Sequence, residues 1–250
     1  MNILGVSEGF HDAGICLLRD DKIYFASHSE RHSQKKGDKW IHPDQLPKTQ
    51  KYKPDVIAYY EKPFRKNLRR LYAGQKWQKP RRKYDVYFGH HESHAAAGYY
   101  TAPFDECNVL VIDAIGEWDT MSIWKGSVEN GYMGQKTHTL KKLKSWKYPH
   151  SLGLLYSAIT QRIGLNPNED EYITMGMAAF GDPKYDLENQ LWENNHRGVG
   201  NIYSEARPED LAASIQDLYE RELLKLVELC PHENLVIMGG CALNCVANSK

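Results

Sequence analysis

Two histidines four residues apart open an alanine-rich segment of this 250-residue chain. The segment reads HHESHAAAGYY, with His90 and His94 at positions i and i+4 and His91 beside the first. On a helix, residues four apart share one face at about 6 Å, whereas His91 is turned roughly 100° aside. Two imidazoles on one rigid face are suited to binding a single transition-metal ion.

A carboxylate that could complete this site is Asp113, at the end of the apolar run VLVID. An acid there is costly to bury unless it is paired or bound to a cation. We therefore predict a metal site formed by His90, His94 and Asp113. The carboxylate favours a harder ion, and Fe²⁺, Mn²⁺ and Zn²⁺ all remain open. The alternative is that the histidines bond locally while Asp113 binds the backbone.

A second candidate site is the turn GFHDAG, which contains His11 and Asp12. The pKa of a histidine lies near operating pH, so His11 is a candidate general base for a hydroxyl group. The alternative is a polar turn in which the Asp12 side chain bonds its own backbone.

Glycine-containing turns provide candidate phosphate contacts. Gly116 in IDAIGEWDT would allow close approach of a phosphate to the backbone. Gly239 and Gly240 join the strand-like run NLVIM to CALNCVANSK, which is predicted to be a helix. A nucleotide could lie at that helix N-terminus, although close helix–strand packing explains the two glycines equally well.

The segment of residues 62–83, from Lys62 to Lys83, contains ten Lys and Arg residues and no Asp or Glu. Aromatic residues are interleaved with the cations, as in surfaces that bind phosphate or nucleic acid. A solvated amphipathic helix is the alternative interpretation.

The overall composition is that of a globular protein, with 41% hydrophobic residues and Lys+Arg 32 against Asp+Glu 32. This balance argues against a protein that coats polyanions. Five scattered cysteines indicate reduced thiols. We expect a cytoplasmic protein without membrane contact, because the N-terminus lacks signal-peptide character and no apolar run approaches 18 residues.

The order of predicted elements suggests a duplication. Three short strands are followed by a strand and helices, and a second set of three strands from CNVLVIDAIG onward is again followed by helices. This pattern predicts an α/β, actin-like (ASKHA) duplicated ribonuclease-H-like fold. The first lobe is predicted at 1–103 and the second, incomplete lobe at 104–250.

Seven segments, in order, resemble one enzyme family. They are LGVSEGFHDAGICLL, SERHSQKK, DVIAYYEKPFRKNLRRL, HHESHAAAGYY, LVIDAIGEWDTMSIWKG, MGMAAFGDP and MGGCALNCVAN. The family comprises the O-carbamoyltransferases of the nodulation, cephamycin, novobiocin and tobramycin pathways. Their Kae1-like domain shares its fold with tRNA threonylcarbamoyltransferases.

The resemblance implies roles for individual residues. His90, His94 and Asp113 match the family's metal ligands, and the metal is commonly iron. His11, within the family's HDA sequence beside Asp12, matches the histidine implicated in transfer to the acceptor hydroxyl. The remaining matches imply contacts to the nucleotide or to carbamoyl-adenylate, and they are Arg31, Lys36, Gly239, Gly240 and Asn244.

The resemblance also implies a reaction. We predict transfer of a carbamoyl group from carbamoyl-adenylate, made from carbamoyl phosphate and ATP, to a hydroxyl of a small molecule or nucleoside. The alternatives are threonylcarbamoyl transfer to tRNA, or a non-catalytic nucleotide- or nucleic-acid-binding module that uses residues 62–83.

Two departures from the family stand out. Ile173 occupies a position where the family usually has a lysine. The chain also stops after ALNCVANSK, where the family continues with the rest of the second lobe, a further acidic metal ligand and a YrdC-like domain that makes carbamoyl-adenylate. We therefore expect a fragment, a split gene product or a reduced relative that works with a separate YrdC-like domain.

Overall fold

Strands with alternating apolar residues form two mixed sheets in the computed structural model. The model describes residues 1–20, 22–46, 49, 51–79, 81–130 and 135–250. The chain divides into two units, residues 1–93 and 94–250. The sequence-based boundary at 103 stays a prediction. Asp21, in the predicted turn RDDK, and Pro80, in the basic segment, lie outside the described residues.

The first unit contains a five-stranded sheet in the order β3-β2-β1-β4-β5. Strands β1, β2 and β3 are antiparallel, while β1, β4 and β5 are parallel. The strands are β1 Asn2–Ser7, β2 Gly14–Arg19, β3 Lys22–His28, β4 Val56–Tyr59 and β5 Val86–Tyr87. The helices are α1 Glu30–Ser33, α2 Pro63–Tyr72 and a 3₁₀ turn at Pro43–Gln45. Inward-facing residues such as Leu4, Val6, Ile15 and Leu17 form the core of this unit.

The second unit contains a four-stranded sheet in the order β8-β7-β6-β9, with only β6 and β9 parallel. Its strands are β6 Cys107–Gly116, β7 Asp119–Asn130, β8 Lys136–Lys147 and β9 Leu235–Met238. The helices are α3 His90–Thr101, which begins in the last residues of the first unit, α4 Leu152–Arg162, α5 Glu171–Met177, α6 Pro208–Glu228 and α7 Cys245–Asn248. Short 3₁₀ helices lie at Ala178–Phe180, Glu188–Trp192, Asn195–Arg197 and Gly240–Leu243.

Both sheets share one arrangement, in which three antiparallel strands are joined by a strand parallel to the first of them. The predicted mixed α/β class with two sheets is therefore confirmed. None of the described helices is long and apolar enough to cross a membrane.

Strand β6 carries Asp113, and the face on which this acid lies follows from the alternation of side chains along a strand. Leu110 and Ile112 belong to the core cluster that includes residues of α4 and α6. Val109 and Val111 instead pack with Ala95 and Tyr99 of α3 on the other face. Continuing the alternation by two residues places Asp113 on the face covered by α3.

The helix predicted over CALNCVANSK is wrong in its extent. Residues Gly240–Leu243 form a 3₁₀ helix, and α7 begins only at Cys245. Asn244 separates them, and its side chain accepts the Ala247 backbone N–H at 3.0 Å. A side chain that caps a helix in this way starts a new helix instead of continuing the preceding one.

Candidate metal centre

Helix α3 and strand β6 bring an imidazole and a carboxylate together. Nε2 of His94 lies 3.5 Å from Oδ2 of Asp113, and the two side chains are 32% and 17% exposed. Helix α3 packs closely at this point, because a Cβ on Gly98 would lie 2.7 Å from Cγ of Met238. The absence of a side chain at Gly98 therefore lets the helix approach the sheet that carries Asp113.

His90 precedes His94 by one turn of the same helix. His90, His94 and Asp113 each offer one ligand atom, and these atoms all lie within 4.8 Å of one another. Two imidazole nitrogens and a carboxylate oxygen fit a first-row divalent ion. His91 is only 2% exposed and is not part of this group, which is consistent with a packing role.

Two other described groups meet the same distance criterion, namely His32, His42 and Asp44, and Asp12, His28 and Glu30. Each of these groups includes an acid that is far more exposed than Asp113, at 73% for Asp44 and 49% for Asp12. An exposed carboxylate is satisfied by water and has less need of a cation. The half-buried site with Asp113 is therefore the strongest candidate.

Glu61 is a residue of this site that sequence reasoning did not assign. It is 4% exposed, its Oε2 lies 3.9 Å from Nδ1 of His90, and Nζ of Lys66 lies 2.7 Å from its Oε1. Burial by itself would raise the pKa of Glu61, but hydrogen bonding to His90 and the charge of Lys66 leave it lowered. The sequence contained a pattern that could have indicated Glu61, because this acid follows an apolar strand just as Asp113 does.

His11 and Asp12 are adjacent in the first unit. Nδ1 of His11 lies 2.5 Å from Oδ2 of Asp12, and Nε2 of His28 lies 3.6 Å from Oδ1 of the same carboxylate. Asp12 adopts a left-handed conformation with φ of 52°, which Asp tolerates better than most residues. His28, which the sequence did not indicate, therefore belongs to this cluster.

The proposed nucleotide contacts differ in their surroundings. Arg31 lies on α1 and Lys36 follows it, and both are exposed. Gly116 is buried at the end of β6, and the left-handed residue of that turn is its neighbour Glu117, with φ of 52°.

Gly239 and Gly240 lie in a tight junction after β9. Gly239 has φ of +94°, and a Cβ there would lie 2.3 Å from the carbonyl oxygen of Ile112. A Cβ on Gly240 would lie 3.3 Å from Oδ1 of Asp113. The side-chain amide of Asn244 exchanges two hydrogen bonds with that of Gln216, at 2.9 and 3.1 Å. Close packing therefore accounts for these residues, and their contact with a nucleotide stays a prediction.

Two mixed sheets of this kind are consistent with an actin-like fold. Component A of (R)-2-hydroxyglutaryl-CoA dehydratase from Acidaminococcus fermentans has a similar structure, with a TM-score of 0.56. The alignment covers 100% of this chain and 86% of that protein at 13% sequence identity, so the likeness concerns the fold alone.

The chain belongs to the family described as carbamoyltransferase N-terminus, which matches residues 49–207 and 198–250. An uncharacterized protein of Synechocystis sp. is 30% identical over all of this chain and 52% of its own length. Nodulation protein NolNO of Sinorhizobium fredii is 28% identical over 66% of this chain and 26% of its own length. NolO of Bradyrhizobium diazoefficiens is 26% identical over 64% of this chain and 32% of its own length. The chain thus spans about half the length of the Synechocystis relative and less of the others.

Proposed function

We propose that this chain takes part in carbamoyl transfer from carbamoyl-adenylate to a hydroxyl group of a small molecule or nucleoside. The observation that carries the proposal is the grouping of His90, His94 and Asp113 in a chain of the carbamoyltransferase N-terminus family. The donor would form from carbamoyl phosphate and ATP, on a YrdC-like domain supplied in the same or a separate chain.

His90, His94 and Asp113 would hold a divalent ion, with Fe²⁺ favoured and Mn²⁺ or Zn²⁺ as alternatives. When bound, such an ion supplies Lewis-acid stabilisation of negative charge on phosphate or carbonyl oxygens. Oε2 of Glu61 lies 3.9 Å from Nδ1 of His90, and a carboxylate beside a metal-binding histidine commonly orients the imidazole.

His11 would serve as general base. Its Nδ1–H donates to Asp12 at 2.5 Å, which selects the tautomer whose Nε2 can accept a proton. As Nε2 removes the hydroxyl proton, the acceptor oxygen bonds to the carbamoyl carbon and the bond from that carbon to the adenylate oxygen breaks. The products are the O-carbamoyl compound, AMP and protonated His11, which later returns its proton to water.

Arg31 and Lys36 would contact the phosphate of the adenylate, since both are exposed cations. Ile173 offers no such charge. It lines a shallow groove with Gly176, Met177 and Phe180, and this groove would take no part in phosphate binding.

The experiment is incubation of the full chain with carbamoyl phosphate, ATP and hydroxyl acceptors, with and without a YrdC-like domain and after loading with Fe²⁺ or Mn²⁺. We expect AMP and O-carbamoyl product in the complete mixture, and loss of product in His94→Ala. Binding to tRNA or single-stranded RNA that falls steeply with log[salt], without any carbamoyl product, would favour the nucleic-acid-binding alternative and contradict the proposal.

A further inference from the structure

The basic segment of residues 62–83 is folded back onto the first unit. Among the described residues of this segment only Pro63–Tyr72, helix α2, are helical. The side-chain amide of Asn67 then binds the backbone of Gln78 twice, donating to its carbonyl at 2.8 Å and accepting from its N–H at 2.8 Å. Gln78 in turn donates to the carbonyl oxygen of Gly9 at 3.0 Å. The segment is therefore tied to the turn that carries His11.

This arrangement creates a pocket that lies entirely within the first unit. Its cavity volume is only about 20 Å³, so it is an open depression, and a ligand would lie at its mouth, where Lys79 and Arg81 are exposed. Residues that line it include Trp40, Tyr59, Glu61, Lys66, Lys79 and Arg81. Because Gly9 and Glu61 both line it, the pocket lies beside the turn of the candidate base and beside the carboxylate that contacts His90.

The two acids of the pocket are already compensated. Glu61 pairs with Lys66 at 2.7 Å. Glu8 accepts the hydroxyl of Tyr84 at 2.6 Å, and Nε of Arg82 lies 3.8 Å from the same oxygen. Their negative charge is therefore balanced by neighbouring groups before any ligand enters.

Two further cations remain at the pocket, and no described carboxylate forms an ion pair with Lys79 or Arg81. Both side chains are exposed. The guanidinium carbon of Arg81 lies 3.5 Å from the centroid of the Trp40 ring. Stacking on an aromatic face orders the guanidinium plane and leaves its N–H donors free at the edge, where they can bind a carboxylate or phosphate in a bidentate manner.

We propose that this pocket is the acceptor subsite, and that the acceptor is a small hydroxyl compound bearing a phosphate or carboxylate group bound by Arg81 and Lys79. The proposal rests on the proposed function, because it places the anion of the acceptor beside the turn that carries His11. The basic segment then serves to recognise a small anion instead of coating a nucleic acid.

The test is direct binding without any carbamoyl donor, so that its outcome is independent of whether transfer occurs. The full chain is titrated calorimetrically with glucose 6-phosphate, glucuronate, inorganic phosphate and uncharged glucose. Arg81→Gln and Lys79→Gln are compared with the wild type. Lys144→Gln is the matched control, because Lys144 is an exposed cation whose Nζ lies 4.7 Å from the Trp146 ring in the second unit.

We expect saturable binding of at least one anion, at least tenfold tighter than glucose. Affinity should fall at least tenfold in Arg81→Gln, several-fold in Lys79→Gln and not at all in Lys144→Gln. The phosphate and carboxylate probes separate the two candidate anionic groups.

Three outcomes would overturn the proposal. The first is anion binding no tighter than that of glucose, and the second is wild-type affinity in Arg81→Gln. The third is tighter binding of a short single-stranded RNA than of every small anion, with a steep dependence on salt. Circular dichroism of each variant checks that it is folded, which these surface substitutions should leave unchanged.

Discussion

Nδ1 of His90 lies 3.9 Å from Oε2 of Glu61, and the other oxygen of that carboxylate is 2.7 Å from Nζ of Lys66. A carboxylate behind a metal-binding imidazole holds the ring in one orientation and increases its basicity as a ligand. Glu61 thus both lines the pocket of the first unit and contacts His90, the first residue of α3.

Glu61→Gln should weaken Mn²⁺ binding by about 10–100-fold, the usual cost of losing such a carboxylate. Glu106→Gln is the control, because Glu106 is a half-exposed acid that pairs with Lys125 at 4.0 Å. Calorimetric titration with Mn²⁺ measures both. Equal Mn²⁺ affinity in Glu61→Gln and the wild type would show that His90 is not positioned by this carboxylate.

His94→Ala should abolish metal binding, whereas His91→Ala should retain it. The first removes a ligand atom, while the second removes a buried side chain outside the group and should cost roughly 0.5–3 kcal/mol of stability. Elemental analysis after loading with iron or manganese compares the two. Retention of metal by both variants, or its loss from His91→Ala alone, would refute the assignment of the helix face.

Asp12→Asn should lower carbamoyl transfer by roughly 10²–10⁴-fold, because His11 loses the carboxylate that orients it. Asp20→Asn is a matched control. Asp12 and Asp20 both have positive φ, at 52° and 48°, and Asn tolerates this conformation. The rate of AMP release from carbamoyl-adenylate in the presence of acceptor is the measurement. Similar rates in both variants would argue against a general base at His11.

Gly239→Ala should destabilise the chain by about 2–4 kcal/mol, through left-handed strain and the clash of the new Cβ with the carbonyl oxygen of Ile112. Gly200→Ala should cost only about 1–2 kcal/mol, since Gly200 has φ of +62° but no atom within 4 Å of the added Cβ. Urea denaturation of both variants measures the difference. Equal losses of unfolding free energy would mean that the junction can open to accommodate a side chain.

Asp210 should contribute to acid sensitivity. The Asp182 backbone N–H donates to it at 2.9 Å and Lys184 lies 3.3 Å away, and these contacts hold the pKa of Asp210 below its usual value. Its contribution to stability is therefore present above the unfolded pKa of about 3.9 and is lost as pH falls through the lower folded pKa. Urea denaturation between pH 6 and about pH 3 should show a smaller decline for Asp210→Asn than for the wild type. Parallel declines would show that other carboxylates dominate.

The amino-acid sequence determined the local elements and the candidate ligands. The i, i+4 spacing of His90 and His94 follows from helix geometry, and the apolar run before Asp113 identifies a strand that ends in an acid. These features depend on neighbours within one or two turns, so periodicity is sufficient to predict them. The predicted helix after Gly240 is wrong in its extent because the side chain of Asn244 caps a new helix at Ala247, and Asn244 is itself held by Gln216, 28 positions away.

Only the tertiary structure decided which distant residues join these elements. Glu61 contacts His90 although they are 29 positions apart in the chain, and Gln78 binds Gly9 across 69 positions. The sequence of residues 62–83 favoured a solvated helix over a nucleic-acid surface but left both open, because charge and spacing do not show what a segment packs against. The reciprocal hydrogen bonds between Asn67 and Gln78 turn that segment back onto the first unit. Contacts of this kind join residues that meet only after the chain has folded, so a local sequence pattern does not predict them.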